Sequence, residues 1–431
     1  MFVKKPKLLT ATIAKKVSRI CFLNPQGYVT NPPPLGKTDT GGQTIYVLQL
    51  AEALGKKGIK VDIVTRQFDG LPLEEQVFPN VKIVRIPCGG ADFVAKEKMY
   101  EHMSEWVENF MLYIEKTRKK YDLIHSHYWD AGYAGVILKK MLDIPHIHTP
   151  HTLGKAKKME LSVEEMPVQK LKPSYRYHVR IAIEQKIIND ADAIVVLCET
   201  TRIQILHYYI ADFEKLHVIF PGIDTSYFSQ KTGLADKKIR FLPNSILTMS
   251  RVVPAKGLDR LIDAVALLKN KINFHVYMGG DINQKTGSNE EKNAQGQIGE
   301  LIKKYHMEKY ITFLGQTNHD EYLPAYYRSA DIFVLPARYE PFGLTTLEAM
   351  ACGTVPLVSS VAGSREVIID GLNGFIINSH DRKLLADQIY NLLKNKTLLK
   401  KVSANAAFTI KEHYSWDKMV DKFISLYKEL I

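Results

Sequence analysis

Cysteine is scarce in this chain. Only 4 stand among 431 residues, and Cys21, Cys88, Cys198 and Cys352 lie too far apart for a metal cluster or a disulfide framework. Each sits in or beside an apolar stretch, so buried, inert thiols in a reducing cytoplasm are expected. No apolar run approaches the ~18 residues that a membrane-spanning helix needs. The N-terminus offers Lys4, Lys5 and Lys7 and then only Leu8 to Ala14 before Lys15, too little for a secretory signal; residues 1–16 are expected to form a flexible tail. Short-period repeats, low-complexity tracts, zinc-finger spacings and RNP-type motifs are lacking too, and with them the usual carriers of nucleic-acid binding. The formal net charge of +12 is spread over both halves instead of gathered in one patch, as solvated lysine-rich faces would be.

What is present is an ordinary globular composition, 45% hydrophobic and 24% charged, in a chain longer than a single core usually serves, so two domains are expected. Short apolar runs alternate with amphipathic ones, the pattern of parallel sheets flanked by helices. Strands are expected at Arg19 to Leu23, Lys60 to Thr65, Val81 to Ile86, Leu123 to His125, His146 to Thr149, Ala193 to Leu197 and His217 to Phe220. Helices are expected between them at Thr44 to Lys57, Lys96 to Lys120, Gly132 to Met141, Pro173 to Asn189 and Thr200 to Tyr208. After Gly222 the pattern restarts, with strands at Ser245 to Met249, Phe274 to Met278, Ile311 to Phe313, Ile332 to Leu335 and Val355 to Val358. The fold class is therefore α/β: two doubly wound, Rossmann-like domains, 17–222 and 244–413, joined by a linker at 223–243 and followed by an amphipathic helix at 414–431. The polar stretch Gly280 to Gln297 reads as a surface loop. Ligands of such sheets bind beyond the C-terminal ends of the strands, so chemistry-bearing residues should gather there.

They do. Glu340 and Glu348 bracket Pro-Phe-Gly-Leu-Thr-Thr-Leu between a strand and a helix start. The amides of Gly343, Leu344 and Thr345, with Phe342 beside them, would open that helix and favour an anion. One glutamate lies on either side of the anion, placed to accept hydroxyl hydrogen bonds at the two ends of a molecule laid out as ribose, diphosphate and hexose. An isolated pair could equally be read as dipole complementarity. A second strand end, however, delivers Arg251 and Lys256, cations suited to a departing diphosphate. Gly315, after a third, would let the backbone approach a planar base.

The sequence Ser250-Arg251 to Lys256-Gly257, Phe313-Leu314-Gly315, then Arg338 to Leu344 and Glu348 to Pro356 resembles the retaining glycosyltransferases of family 4, which have the GT-B fold. The likeness covers almost the whole chain. It implies that the terminal helix crosses back to the first domain, that Arg251 and Lys256 hold the donor diphosphate, that Glu340 contacts the donor sugar, and that Glu348 binds the ribose. It implies no cofactor beyond a nucleotide-sugar co-substrate, and no divalent metal.

In the first domain, Gly41-Gly42-Gln43 precedes a helix, so Gly42 can approach a phosphate closely; the third glycine of a dinucleotide fingerprint is missing, and a plain loop is the competing reading. With Asn24-Pro25-Gln26-Gly27 the turn is similar to the sucrose-phosphate synthase and sucrose synthase branch of the family. His151, just past a strand end, is the match of a residue beside the anomeric carbon. His146, His148 and His151 as a metal trio, and Asp190 and Asp192 as a metal-binding pair, are the competing readings of those residues. Lys96, Lys157, Arg176 and Arg180, with Tyr128 and Gln43, form the candidate acceptor pocket, Arg176 and Arg180 being one helical turn apart. Lys96, Lys157 and Arg180 are similar to sugar-phosphate-binding positions of that branch. The branch tends to carry paired arginines where this chain has Val179-Arg180, and inositol-phosphate glycosyltransferases share a similar His-Thr-Leu-Gly-Lys loop.

The function implied is transfer of a hexose, glucose from UDP-glucose, to a small phosphorylated acceptor such as fructose 6-phosphate, as in sucrose biosynthesis. An inositol-phosphate glycosyltransferase and a peripheral enzyme of lipid or polysaccharide synthesis remain as alternatives, the latter if Trp106, Phe110 and Met111 touch lipid, although packing of their helix against the sheet is the expected arrangement. A non-catalytic nucleotide-sugar sensor is the reading from outside enzymes.

Overall fold

The computed structural model describes residues 16–34, 39–68, 70–163, 176–280, 289–315 and 322–431. The expected tail (but for Lys16), the start of the helix expected from Pro173 and residues 281–288 of the expected loop lie outside them.

The first sheet holds β1 (Arg19–Leu23), β2 (Lys60–Gln67), β3 (Glu74–Phe78), β4 (Val81–Pro87), β5 (Leu123–His127), β6 (His146–Thr149), β7 (Ala193–Val196) and β8 (Leu216–Val218) in the order β3-β4-β2-β1-β5-β6-β7-β8. All its pairings are parallel except β3 on β4. The second sheet holds β9 (Ser245–Met249), β10 (His275–Gly279), β11 (Ile311–Gly315), β12 (Ile332–Leu335), β13 (Val355–Ser359) and β14 (Phe375–Ile377) in the order β11-β10-β9-β12-β13-β14, parallel throughout. Interior strands such as β7 and β12 are buried on both faces, which is why they read as unbroken apolar runs.

The helices of the first half are α1 (Gly42–Lys56), α2 (Lys96–Met99), α3 (Met103–Thr117), α4 (Trp129–Leu142), α5 (Gly154–Val163), α6 (Tyr177–Asp190) and α7 (Glu199–Tyr208). Those of the second are α8 (Leu258–Ala266), α9 (Asn289–Lys304), α10 (Tyr322–Ser329), α11 (Leu344–Ala351), α12 (Arg382–Lys394), α13 (Lys396–His413) and α14 (Trp416–Leu430). One expectation is corrected. Gly280 to Gln297 is not a loop throughout, because α9 begins at Asn289; Ala294, Ile298 and Ile302 recur every fourth residue and pack into the second core despite the polar, glycine-containing composition. Trp106 and Phe110 pack against the sheet, as expected in preference to lipid contact: they are fully buried on α3 in one cluster with Val64, Ile86 and Ile124.

The chain reverses its walk across the sheet between β1 and β5 and again between β9 and β12. The loops after these strands flank the crevices of doubly wound sheets, and they are the loops that carry the motifs. Helix α14 packs on α1 of the first sheet, where Trp416 Nε1 donates to Gln49 Oε1 at 2.9 Å and Tyr427 Oη meets His125 Nδ1 at 2.8 Å.

Candidate active site

The turn after β9 and the loop after β12 are stitched together. Arg338 N and Tyr339 N donate to Ala255 O at 2.9 and 3.1 Å, while the Arg338 guanidinium grips both Asp259 oxygens at 2.7 and 2.6 Å. Gly257 sits between them with φ of 65°, and a Cβ there would stand 2.1 Å from Pro336 O. Only glycine fits, and the packing carries Lys256 to the Glu340 carboxylate, with which it forms a direct ion pair. The cation expected on the diphosphate and the glutamate expected on the sugar are thus neighbours, though 84 residues apart.

Gly343, with φ of 100°, caps α11, and the first hydrogen bond into the helix is Thr346 N to Gly343 O at 3.0 Å, which leaves Leu344 and Thr345 as the opening amides. Phe342 is buried, its ring 6.2 Å from Phe220. Glu348 lies in the second turn, 7% exposed, and accepts from Tyr327 Oη at 2.6 Å. Burial pushes its carboxyl up to about 7, against the lowering effect of that hydrogen bond. Gly315 ends β11 with φ of 71° and open space where a Cβ would be. Arg251 is exposed at the end of β9.

From the first domain, Gly42 faces this loop: a Cβ on it would lie 3.8 Å from Leu344 Cδ1. Gln43 is fixed by Asn24 Oδ1 at 2.6 Å and Gln26 Nε2 at 2.9 Å, so the Asn24–Gly27 and Gly41–Gln43 segments form one hydrogen-bonded unit. His151 occupies the loop after β6 with φ of 55°, its Nε2 3.1 Å from His127 Nδ1 and its ring 5.0 Å from that of Tyr46. Burial lowers its pKa to about 3, so it is a neutral imidazole over the physiological range. His146 and His148 instead share Ser126 Oγ, at 2.7 and 2.8 Å. Asp192 is taken up by Lys139 at 2.6 Å and by His146 N at 2.8 Å, and Asp190 by Lys186 at 3.0 Å. Among the described residues no group of three or more His, Cys, Asp or Glu is arranged to hold a metal ion.

The candidate acceptor cations are only partly brought together. Lys96 opens α2 with its ammonium 2.6 Å from Asp39; burial works against its charge, but Asp39 and the neighbouring Tyr128 hold its pKa up, while Arg251 is close enough to oppose them. Arg180 is 4% exposed and spends its donors on Glu184 Oε1 at 2.7 Å, Tyr128 Oη at 3.1 Å and both Thr152 oxygens at 2.8 Å. Arg176 does not share that seat: it caps α6 on the outside, paired with Glu101 and donating to Tyr100 Oη at 2.9 Å. Lys157 lies half-buried on α5. Sequence reasoning passed over Asp39, Glu184, Tyr327 and Asp130. The last is buried in the first turn of α4, with its carboxyl raised to about 7 by burial.

Residues 40–227 match the family described as Glycosyltransferase Family 4, and residues 233–408 that described as Glycosyl transferases group 1. A mannosylfructose-phosphate synthase of Agrobacterium fabrum is 35% identical over 99% of this chain and 94% of its own length. The chain belongs to the GT-B glycosyltransferases of family 4. A D-inositol 3-phosphate glycosyltransferase of Corynebacterium efficiens is 29% identical over 91% of this chain and 92% of its own. Among solved structures, sucrose-phosphate synthase of Thermosynechococcus elongatus superposes with a TM-score of 0.83 at 27% identity, covering 96% of this chain and 99% of that one. As a family 4 glycosyltransferase the chain is a transferase, and no helix among its described residues is long and apolar enough to cross a membrane.

Proposed function

We propose that this glycosyltransferase moves a hexose, glucose from UDP-glucose, onto fructose 6-phosphate or a closely similar sugar phosphate, with retention at the anomeric carbon. The observation that carries the reading is the contact of Lys256 with Glu340 opposite the Gly42 turn, which supports a diphosphate and a sugar lying side by side. In this reading Arg251, Lys256 and the Leu344 and Thr345 amides stabilise the diphosphate as the C1–oxygen bond breaks. Glu340 holds the sugar hydroxyls, and neutral His151 donates to or accepts from the sugar on its other side. Glu348 takes the ribose, while Gly315 makes room for the base. The acceptor hydroxyl attacks C1 from the leaving-group side, its proton passing to the departing phosphate oxygen. Positioning and fixed charge do the catalysis, so neither metal nor cofactor is called for.

Two relatives favour the acceptor: the names of both the Agrobacterium protein and the superposed synthase denote a disaccharide phosphate whose second unit is fructose. The former also makes a mannosyl donor the first alternative to glucose. Inositol phosphate is the second reading for the acceptor, supported by the Corynebacterium relative. Trp106 and Phe110 are buried and so lend a lipid acceptor no support.

Release of nucleoside diphosphate from UDP-glucose and GDP-mannose, against fructose, fructose 6-phosphate and inositol 3-phosphate, tests this. UDP release that requires fructose 6-phosphate is expected. Release with inositol phosphate alone overturns the acceptor, and donor binding without transfer to any of them overturns catalysis.

A further inference from the structure

The N-terminus of α7, in the first domain, has no cap of its own: Cys198 stands at the capping position and makes no side-chain cap bond. The acceptor comes from the other domain. Glu366 Oε2 accepts from Glu199 N at 2.7 Å, and Oε1 accepts from Thr200 N at 2.7 Å and from Thr200 Oγ1 at 2.6 Å. A carboxylate taking three hydrogen bonds at a helix N-terminus is a strong, charge-assisted contact aligned with the helix dipole.

Glu366 belongs to the 3-10 turn Gly363–Val367, and that turn also holds the donor loop. Gly363 N donates to Glu340 O at 3.0 Å, Ser364 N to Phe342 O at 2.7 Å, and Ser364 Oγ meets Thr346 Oγ1 at 2.9 Å. Cys198 Sγ approaches Pro341 O at 3.4 Å, and a Cβ on Gly363 would collide with both, at 2.7 and 2.2 Å. One short segment therefore grips the Glu340–Thr346 loop with its backbone and the first domain with its side chain.

We propose that Glu366 is a positioning residue: by capping α7 across the cleft it sets the distance between the donor loop and the first domain, where His151 and the acceptor pocket lie. It rests on the reading that the Glu340 loop binds the donor sugar. Because all the proposed nucleotide contacts except Gly42 (Arg251, Lys256, Gly315, Glu348 and the Leu344 and Thr345 amides) fall within the second domain, loss of the cap should largely spare nucleotide affinity and damage the transfer step. A misplacement of about 1 Å at a reacting centre can cost about a hundredfold in rate.

The test uses Glu366→Gln, Thr200→Val and the pair together in the full chain, each checked by thermal melting. Expected are a roughly tenfold or larger fall in kcat for Glu366→Gln and UDP affinity within about threefold of wild type. The double variant should be little worse than the poorer single, since both changes cut the same contact. Small-angle scattering of Glu366→Ala should show a larger radius of gyration, and Glu366→Asp should restore part of kcat. An unchanged kcat, an unchanged radius of gyration, or a loss of UDP affinity equal to the loss of kcat overturns the assignment. Absence of transfer in the wild type strikes the functional reading instead, and the scattering comparison still decides the contact.

Discussion

Glu348→Gln should make the protein more stable and a poorer binder at once. The carboxyl is buried beside Tyr327 and its pKa is raised from 4.5 to about 7. Between those two values the folded chain keeps a proton that the unfolded chain has lost, so stability falls as pH rises across that window. Titrating near 7 instead of in the usual carboxylate range corresponds to about 3 kcal/mol, a cost absent near pH 4 and complete at pH 8. Gln keeps the shape and can still accept from Tyr327, but carries no charge. At pH 8 the variant should therefore gain up to about 3 kcal/mol, which for a unit of 150–250 residues raises Tm by roughly 6–12 °C, and at pH 4.5 it should gain little. Hydrogen bonds from ribose hydroxyls to a carboxylate are worth about 1.5–3 kcal/mol, so UDP affinity should fall roughly tenfold or more. Melting curves at pH 4.5, 6, 7 and 8, with and without UDP, test both halves. An equal Tm difference at every pH, or a variant less stable than wild type at pH 8, refutes the reasoning.

Arg180→Ala leaves Glu184 buried without its cation and should cost about 3–5 kcal/mol, part of which Arg180→Ala/Glu184→Gln recovers; a double variant no more stable in melting than the single contradicts the pairing. In that folded double variant the acceptor KM should rise with UDP affinity nearly intact, and equal loss of UDP binding would count against an acceptor role. Gly257→Ala forces a side chain toward Pro336 O at a positive φ, so it should displace the Lys256 turn and weaken UDP-glucose binding, read by calorimetry; wild-type affinity would show that the turn does not matter. With His151 at about 3, no inflection from it should appear in kcat/KM above pH 5, whereas a limb near pH 7 should vanish in Glu348→Gln.

The parts of the fold that were legible are those in which local pattern and burial agree. Strands β1, β9 and β12 are largely apolar and buried and stand out as such, and the loops that follow them carry glycines and charges a packed strand excludes. Strand β3, Glu-Glu-Gln-Val-Phe, went unseen because it is a half-buried edge that pairs antiparallel with β4 on one side only. Strand β14 is three residues long and α5 has a polar, lysine-rich sequence, so neither has a period to read. In the site, the glutamates, Lys256 and Gly343 are local to their motifs. Their partners are not: Tyr327 lies 21 residues from Glu348, Asp39 lies 57 from Lys96, and Glu366 lies 166 from Thr200. Glu184 was within reach, four residues after Arg180 on one helix face. The spacing of Arg176 and Arg180 misled, because Arg176 is the cap residue, in a left-handed conformation, and so leaves the helical face.

On the proposed reading, the charge balance of the acceptor side limits how it can recognise a phosphate. Lys96 is matched by Asp39, Arg180 by Glu184 and Arg176 by Glu101, so three of the four candidate cations already face a carboxylate. Arg180, with donors on all three of its nitrogens spent on protein oxygens, offers an anion its field more than its hydrogen bonds. Lys96 is different, since its ammonium is held by a side chain from the segment just before the Gly41–Gly42 turn, and one ion can replace another on it. A phosphate that comes within about 5 Å of Asp39 meets repulsion of about 3 kcal/mol per pair of unit charges at an effective dielectric constant of about 20. On the proposed reading the acceptor phosphate is therefore seated only when Asp39 releases Lys96. Because Asp39 stands two residues before Gly41, that exchange acts on the same turn that faces Leu344, and acceptor recognition is mechanically joined to the donor side through the backbone of the first domain.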